Sequence, residues 1–416
     1  MAEDTTIVRE EDRRCLRELA RRVGEIAALP IQAERARLWK DFNALRPQRP
    51  MVLAFPEGGW RELIDDSQLQ CEDPLLRGWE LGLRRTVFHG EHIHDDHPIT
   101  DFFNVGWVVR IGDYGLSETI FRSDPLGAYR WDAPIKEPAD LKKLHPRAIE
   151  LDRDATNRNV ELAQSILGDV LRVRPHRHIG WPAVLSWTLV QLRGLNQVMM
   201  DVYDNPQLLH ELMCFLRDDK IRELELLERE GVLSLNNGPD DYVGSGGIGC
   251  TDELPAEDFA GRPRMKDMWG FGESQEFVHV GPEHWYEFVL QYQLPILKRF
   301  AINHYGCCEP LHKKFDLLVR HVPRLRRVSV SAWWDPADAA AKLTDRYIFS
   351  WKPNPAMICA PAVNWDAVEK ATRETLEIAR GCCVEMIMKD THTFAGDPTR
   401  IEHWSQIASR CAAEAL

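Results

Sequence analysis

Apolar residues recur at helical spacing near the start of the chain, where Leu16, Leu19, Val23 and Ile26 alternate with arginines and glutamates. This pattern predicts amphipathic helices over Ile7 to Leu29 and Gln32 to Leu45. Beyond them short apolar runs alternate with helical patterns. The runs are Met51 to Phe55, Phe102 to Ile111, Val170 to Val173, Val232 to Leu235, Met268 to Phe271, Ala301 to Tyr305, Arg327 to Val330, Tyr347 to Ser350 and Val384 to Met388. Helical patterns cover Gln207 to Arg229, Pro282 to Phe300 and Trp365 to Arg380. Strands alternating with helices predict a parallel sheet, and closure with insertions gives an α/β (β/α)8 TIM barrel with an N-terminal helical extension. Nine runs exceed eight strands, so one belongs to an insertion. The helical cap ends near Arg46 to Pro50, dividing the chain into a cap over 1–48 and a barrel over 49–416. No internal repeat or long linker marks another boundary.

Composition narrows the class. A chain of 416 residues with 44% hydrophobic content can bury one large core. No window reaches the roughly eighteen apolar residues of a membrane helix, and the N-terminus is charged, so a soluble cytoplasmic protein without a membrane partner is expected. Ten cysteines without framework spacing read as reduced thiols. The net charge of −13 disfavours nucleic acid and points to a small molecule or another protein as partner; homodimerisation stays open.

The densest chemistry is Asn303-His304-Tyr305-Gly306-Cys307-Cys308-Glu309-Pro310, which closes an apolar run and opens a helical pattern. Soft thiolates beside imidazole suit zinc at the mouth of a parallel sheet. Extended backbone would put Tyr305 and Cys307 on one face and His304 and Cys308 on the other, whereas a bend at Gly306 brings both cysteines inward. His304, Cys307 and Cys308 are therefore all ligand candidates, against the alternative of a buried strand end with structural thiols. His392, after the last predicted strand, is the best remote ligand. Glu273 and Glu276 follow another strand and can serve as general acid or oxygen ligand, or simply start a solvated helix. Lys389-Asp390 reads as a strand-end ion pair or as direct chemistry. Cys382 and Cys383 are expected to be structural, Gly244 to Gly249 a flexible loop, and His89, His92, His94 and His97 a solvated polar loop rather than a metal site.

Several motifs, in order, resemble uroporphyrinogen decarboxylase-like methyltransferases. Tyr305 to Glu309 falls where that family carries a zinc-binding H-x-C-G. Ala133 to Leu141 is similar to its approach to a helical excursion, Trp351 to Pro355 to its late G-N-x-D-P loop, and Met388 to Thr393 with Asp397-Pro398 to its closing strand and loop. The resemblance runs from about Pro50 onward. Two positions depart from it: Phe55 to Arg61 stands where decarboxylases carry R-Q-A-G-R-Y, and Tyr305 occupies the place of the zinc-binding histidine. The resemblance implies a zinc-dependent methyltransferase that moves a methyl group between a small methylated substrate and the corrinoid (cobalamin) of a carrier protein. It also implies His304, Cys307, Cys308 and His392 as the metal-ligand pool, Tyr305 as polariser, and Glu273 or Glu276 as acid. Most of the fourteen tryptophans are expected in the core, and no spacing isolates a subset that stacks on a ligand; an aryl methyl ether fits an aromatic-lined mouth best, with methylamines, methanol and methylthiols as the other donors. The alternatives are a metal-free tetrapyrrole decarboxylase of the same fold and a noncatalytic corrinoid-binding partner.

Overall fold

The computed structural model describes residues 8–122 and 128–415. Helix α1 (Glu10–Ala27) and helix α2 (Pro30–Asn43) form where the periodicity predicts them. Neither stands apart from the rest. Leu16, Ala20, Val23 and Ile26 of α1 bury against Leu76 and Leu83 of the helix Pro74–His92 and against Phe103 and Val105. Leu38, Trp39 and Phe42 of α2 pack on Met51, Leu53, Ile348, Cys383 and Ile387.

Eight strands carry the fold: β1 (Met51–Ala54), β2 (Phe102–Gly106), β3 (Arg172–His176), β4 (Trp269–Gly272), β5 (Ile302–Tyr305), β6 (Leu325–Val330), β7 (Ile348–Trp351) and β8 (Cys383–Met388). Six of them make one parallel sheet in the order β1-β8-β7-β6-β5-β4. Strands β2 and β3 form a separate parallel pair. The class is α/β, but among the described residues the strands do not close into one continuous ladder. A single parallel bridge, Ala183 to Gly272, reaches β4 from outside the sheet.

Side chains complete the two outer edges instead. Along β1, the Val52 N–H donates to Asp96 Oδ2 at 2.8 Å and the Ala54 N–H to Asp95 Oδ2 at 2.9 Å, while the Asp96 N–H donates to the Val52 carbonyl. Along β4, the Asn236 amide accepts from the Trp269 N–H at 2.9 Å and donates to the Trp269 carbonyl at 3.0 Å. A primary amide reproduces the donor and acceptor of a peptide unit, so one residue does here what a ladder step would do. This accounts for Val232 to Leu235, which forms no strand: the segment leading to Asn236 runs beside β4 without pairing. Two other expectations also change. The Phe102 to Ile111 run splits into β2 and a short strand, Val109–Ile111, that pairs antiparallel with Ile149–Leu151. The Pro282 to Phe300 helix contains a π-turn at Tyr286–Leu290 and then Pro295, whose missing N–H removes a helical bond. Among the described residues no helix is long and apolar enough to cross a membrane.

One face of the six-stranded sheet packs on helices through apolar residues such as Val328, Val330, Phe349, Met386 and Met388. The opposite face is polar at its centre. Arg327 of β6 and Glu385 of β8, both fully buried, approach to 3.0 Å between Nε and Oε1, without the alignment of a hydrogen bond. Between them on β7, the Ser350 hydroxyl donates to Glu385 and accepts from the Lys352 ammonium. Arg327 also donates to Asn43 Oδ1 and the Ile248 carbonyl, and its guanidinium lies 5.1 Å from the Trp269 ring centroid. The antiparallel hairpin Tyr242–Val243/Gly247–Ile248 covers this face. A Cβ at Gly247 would stand 2.4 Å from Arg327, so only glycine permits the approach.

Because removing one member of a buried ion pair strands the other charge, Glu385→Ala is expected to lower stability by roughly 3–5 kcal/mol in urea denaturation. The double variant Arg327→Met/Glu385→Leu should recover most of that loss. Equal destabilisation by the single and double variants would show that packing, not charge, dominates.

Candidate functional site

Gly306 turns the chain at the C-terminal end of β5 with φ +98, and a Cβ there would come within 2.6 Å of Leu311. The turn cancels strand alternation. Cys307 Sγ and Cys308 Sγ consequently lie 3.5 Å apart instead of on opposite faces. Cys307, only 3% exposed, accepts from Ser245 Oγ at 3.5 Å and from Lys389 Nζ at 3.4 Å. Cys308 is half-buried, and its sulfur lies 3.2 Å from Asp390 Oδ2. Asp390 itself has φ +58, and its N–H donates to Glu57 Oε2 at 2.8 Å. The end of β8 and the loop after β1 thus hold the thiol pair from the far side.

The electrostatics follow from these contacts. The hydrogen bond from Cys308, then the Lys389 ammonium and the Ser245 hydroxyl, bring the Cys307 thiol down to about 6 despite burial. The proton stays on Cys308, whose pKa is raised by its bond to Cys307 and by burial. Burial alone would lower Lys389, but Cys307, Asp390 and Cys308 together raise it. Cys307 is therefore a thiolate at neutral pH, paired with an ammonium.

Carboxyls stand behind it. Glu309, 1% exposed, accepts from the Cys307 N–H and the Ser274 N–H, each at 2.9 Å, and so ties the β5 turn to the segment after β4. Burial and then the nearby Cys307 charge push it up to about 7. Glu273 is fully buried; its Oε2 accepts from the Gln275 N–H, and its Oε1 has no partner. Burial, then Glu309 and Glu276, hold Glu273 well above the ordinary carboxyl range. Glu276 turns away to accept from Ser186 Oγ at 2.7 Å. A cleft of about 400 Å³ opens beside these groups, lined by Cys308, Glu309, Pro310, Gln275, Val278, His279 and Trp333.

Other expected ligands lie elsewhere. His304 is fully buried and neutral, because burial, then Arg327 and Lys352, disfavour its charged form. Its Nε2 meets Ser329 Oγ at 3.1 Å and its Nδ1 the Val243 carbonyl at 3.3 Å, so both ring nitrogens are engaged. His392 is exposed and packs over Gly58 at the rim. Tyr305 faces the helix layer, where its hydroxyl donates to Gln293 Oε1 at 2.6 Å, instead of reaching the thiols. The four-residue ligand pool is therefore not assembled: only Cys307 and Cys308 come together, because alternation along β5 and the reach of the last loop send the two histidines elsewhere.

Among the described residues, the one group of three whose donor atoms all converge within 4.8 Å is Cys15, Cys71 and Glu80. There the Glu80 carboxylate already accepts from the Gln70 and Cys71 N–H groups and from Arg84. Burial, then Glu80, pushes the Cys15 thiol up to about 11, which reads as structure. In the histidine cluster, His89 pairs with Asp95 at 3.0 Å and lies tilted against the His97 ring, while His92 and His94 are exposed near Glu402. Gly244 to Gly249 is buried; Gly244 and Gly247 are pressed on Phe271 and Arg327 of the chain's own sheet.

Sequence reasoning passed over Glu57, Ser245 and Glu309 as site residues. Glu309 lies inside the segment already singled out, but only the turn shows that its carboxyl folds back onto Cys307. No family model matches the chain, and no curated protein matches it, so the chemistry of the site itself carries the functional reading.

Iodoacetamide alkylation of Cys307 in metal-free protein, followed by peptide mass spectrometry, should rise with pH through a midpoint near 6. Lys389→Met removes the stabilising cation and should move that midpoint up toward the ordinary thiol range of about 8.5. An unchanged midpoint would remove Lys389 from the account.

Proposed function

We propose that the chain is a zinc- and corrinoid-dependent methyltransferase of the uroporphyrinogen decarboxylase-like kind, with the sheet and the β2–β3 pair serving as an irregular (β/α)8 barrel. The observation that carries this reading is the Cys307 thiolate at the C-terminal end of a parallel strand, with a second sulfur 3.5 Å away and carboxyls of raised pKa behind it. Active sites of parallel α/β folds gather at that end of the strands.

The donor set fits zinc in part. Zinc–sulfur bonds of about 2.3 Å at tetrahedral angles put two sulfurs about 3.8 Å apart, close to the separation seen here. Cys307 and Cys308 would hold the metal as a pair: among the described residues no third donor converges with both sulfurs within 4.8 Å, so Glu273, with its partnerless buried oxygen, stays outside the set, and His304 and His392 drop out of it. When bound, zinc supplies a Lewis acid that polarises the substrate heteroatom.

The chain's own residues do the remaining work. Lys389 and Asp390 fix the two sulfurs from the β8 side, and Glu309 orients the Cys307 backbone. Glu309, with a pKa of about 7, can hold a proton at neutral pH and pass it to a departing oxygen. Val278, Pro310 and the exposed Trp333 give the cleft apolar walls that suit a flat ring, favouring an aryl methyl ether. In this reading the methyl acceptor would be the reduced corrinoid of a carrier protein, which would supply the cobalt nucleophile.

With an aryl methyl ether and a reduced corrinoid carrier, the cobalt(I) spectrum should convert to methylcobalt(III) only when this protein is present. The protein should bind about one zinc per chain. Cys307→Ala should lower zinc occupancy and slow methyl transfer by roughly 100-fold or more, with the fold retained. Carbon dioxide release from a porphyrinogen, without cobalt methylation across ethers, amines and thiols, would instead favour the decarboxylase.

A further inference from the structure

We propose that Cys307 and Cys308 are a reversible oxidation site, closing to a vicinal disulfide when the protein meets a hydroperoxide. The inference goes beyond methyl transfer and rests only on how the two thiols are placed.

The chain contains its own comparison. Cys382 and Cys383 are also sequence neighbours, but they lie at the start of β8, where extended backbone sends side chains to opposite faces. Cys382 Sγ contacts the Ala340 carbonyl and Cys383 Sγ the Phe42 carbonyl, on different elements. Adjacency alone therefore does not join two sulfurs. At Cys307-Cys308 the left-handed turn of Gly306 breaks the alternation, and the sulfurs meet at 3.5 Å. Cys15 of α1 and Cys71 also approach, but both are buried and neither lines the cleft. Cys308, by contrast, is half-buried and lines the open cleft, which brings a small oxidant to the pair.

The chemistry balances as a two-electron oxidation. Cys307 sulfur attacks one peroxide oxygen; the O–O bond breaks, a sulfenic acid forms, and the departing hydroxide takes up a proton as the first water. Cys308 sulfur then gives up its proton and attacks the sulfenic sulfur, the S–O bond breaks, and the second water leaves as the S–S bond forms. Two thiol hydrogens are lost, and one hydrogen peroxide is reduced to two waters.

The same geometry makes the bond easy to undo. A trans peptide fixes the two Cα atoms at about 3.8 Å, shorter than the roughly 4.4–6.8 Å usual for disulfides, so the bridge is strained and readily reduced. While it exists, neither sulfur can act as a thiolate or metal donor, and the contacts to Lys389, Ser245 and Asp390 are lost. The site is thus disabled by oxidant and restored by thiols.

Brief hydrogen peroxide treatment of the full-length protein, followed by thiol counting and peptide mass spectrometry, tests this directly. Two of the ten thiols should disappear, with the loss of two hydrogens confined to the peptide that carries Cys307 and Cys308, and a glutathione buffer should restore them. In Cys308→Ser, with an unchanged melting temperature, Cys307 should form no internal bridge and instead take up oxygen. Stepwise oxygen uptake at Cys307 or Cys308 in the wild-type protein, without an internal bridge, would overturn the proposal. So would a Cys15–Cys71 bridge that consumed the oxidant while Cys307 and Cys308 stayed reduced. None of these readouts uses methyl transfer, so failure of the functional assignment leaves the test intact.

Discussion

The pairing of Arg327 with Glu385 sets the terms for everything on the polar face of the sheet. Each charge would cost several kcal/mol to bury alone, and here two strands bring them to 3.0 Å with Ser350 between. The same interior also holds Lys352 and Lys389, so its cations outnumber the one carboxylate at its centre. Burial, aided by Lys389 and Arg327, lowers Lys352 to about 7, which lets it shed charge. Lys389 keeps its proton because Cys307 and Asp390 answer it. The Cys307 thiolate is thus the counter-charge that a buried lysine demands, and the reactivity of the site and the stability of the interior have one electrostatic origin.

A second constraint acts at the margins of the sheet. Parallel strands buried on both faces must have their N–H and C=O groups paired, and β1 and β4 each have an edge with no ladder. Asp95 and Asp96 meet the first, and Asn236 the second. The carboxylates have other work: Asp95 also accepts from His89 and the His97 N–H, and Asp96 pairs with Arg49. The histidines that look like a metal array are in part the support for an edge strand.

Periodicity made the N-terminal helices and most of the strands legible, because apolar runs between helical patterns have few other uses. It failed where a side chain replaced a ladder step: Val232 to Leu235 has the composition of a strand, and nothing local shows that Asn236 makes the pairing unnecessary. Closure of the sheet was beyond it for the same reason. In the site, the segment from Asn303 to Pro310 and the bend at Gly306 were readable from residue types. Counting donors also nominated His304 and His392, yet it could not show that Ser329 and Val243 occupy one imidazole or that the other sits on the rim. Ser245 and Glu57 reach the thiols only through contacts distant in sequence, which no spacing encodes.

The place of β8 in the sheet has a consequence for how the molecule comes into being. It lies between β1 and β7, and among the described residues it is the one strand that pairs with β1. On the ribosome, where synthesis proceeds at about 5–20 residues per second, β1 emerges roughly 20–60 s before its partner exists. During that interval both edges of β1 lack a ladder: the aspartates after the helix Pro74–His92, made soon afterwards, can cap the outer edge, while the edge that β8 takes waits for the end of synthesis. Lys389 and Asp390 arrive with β8, so the thiols of the nascent chain stay without their charge partners until the sheet is joined.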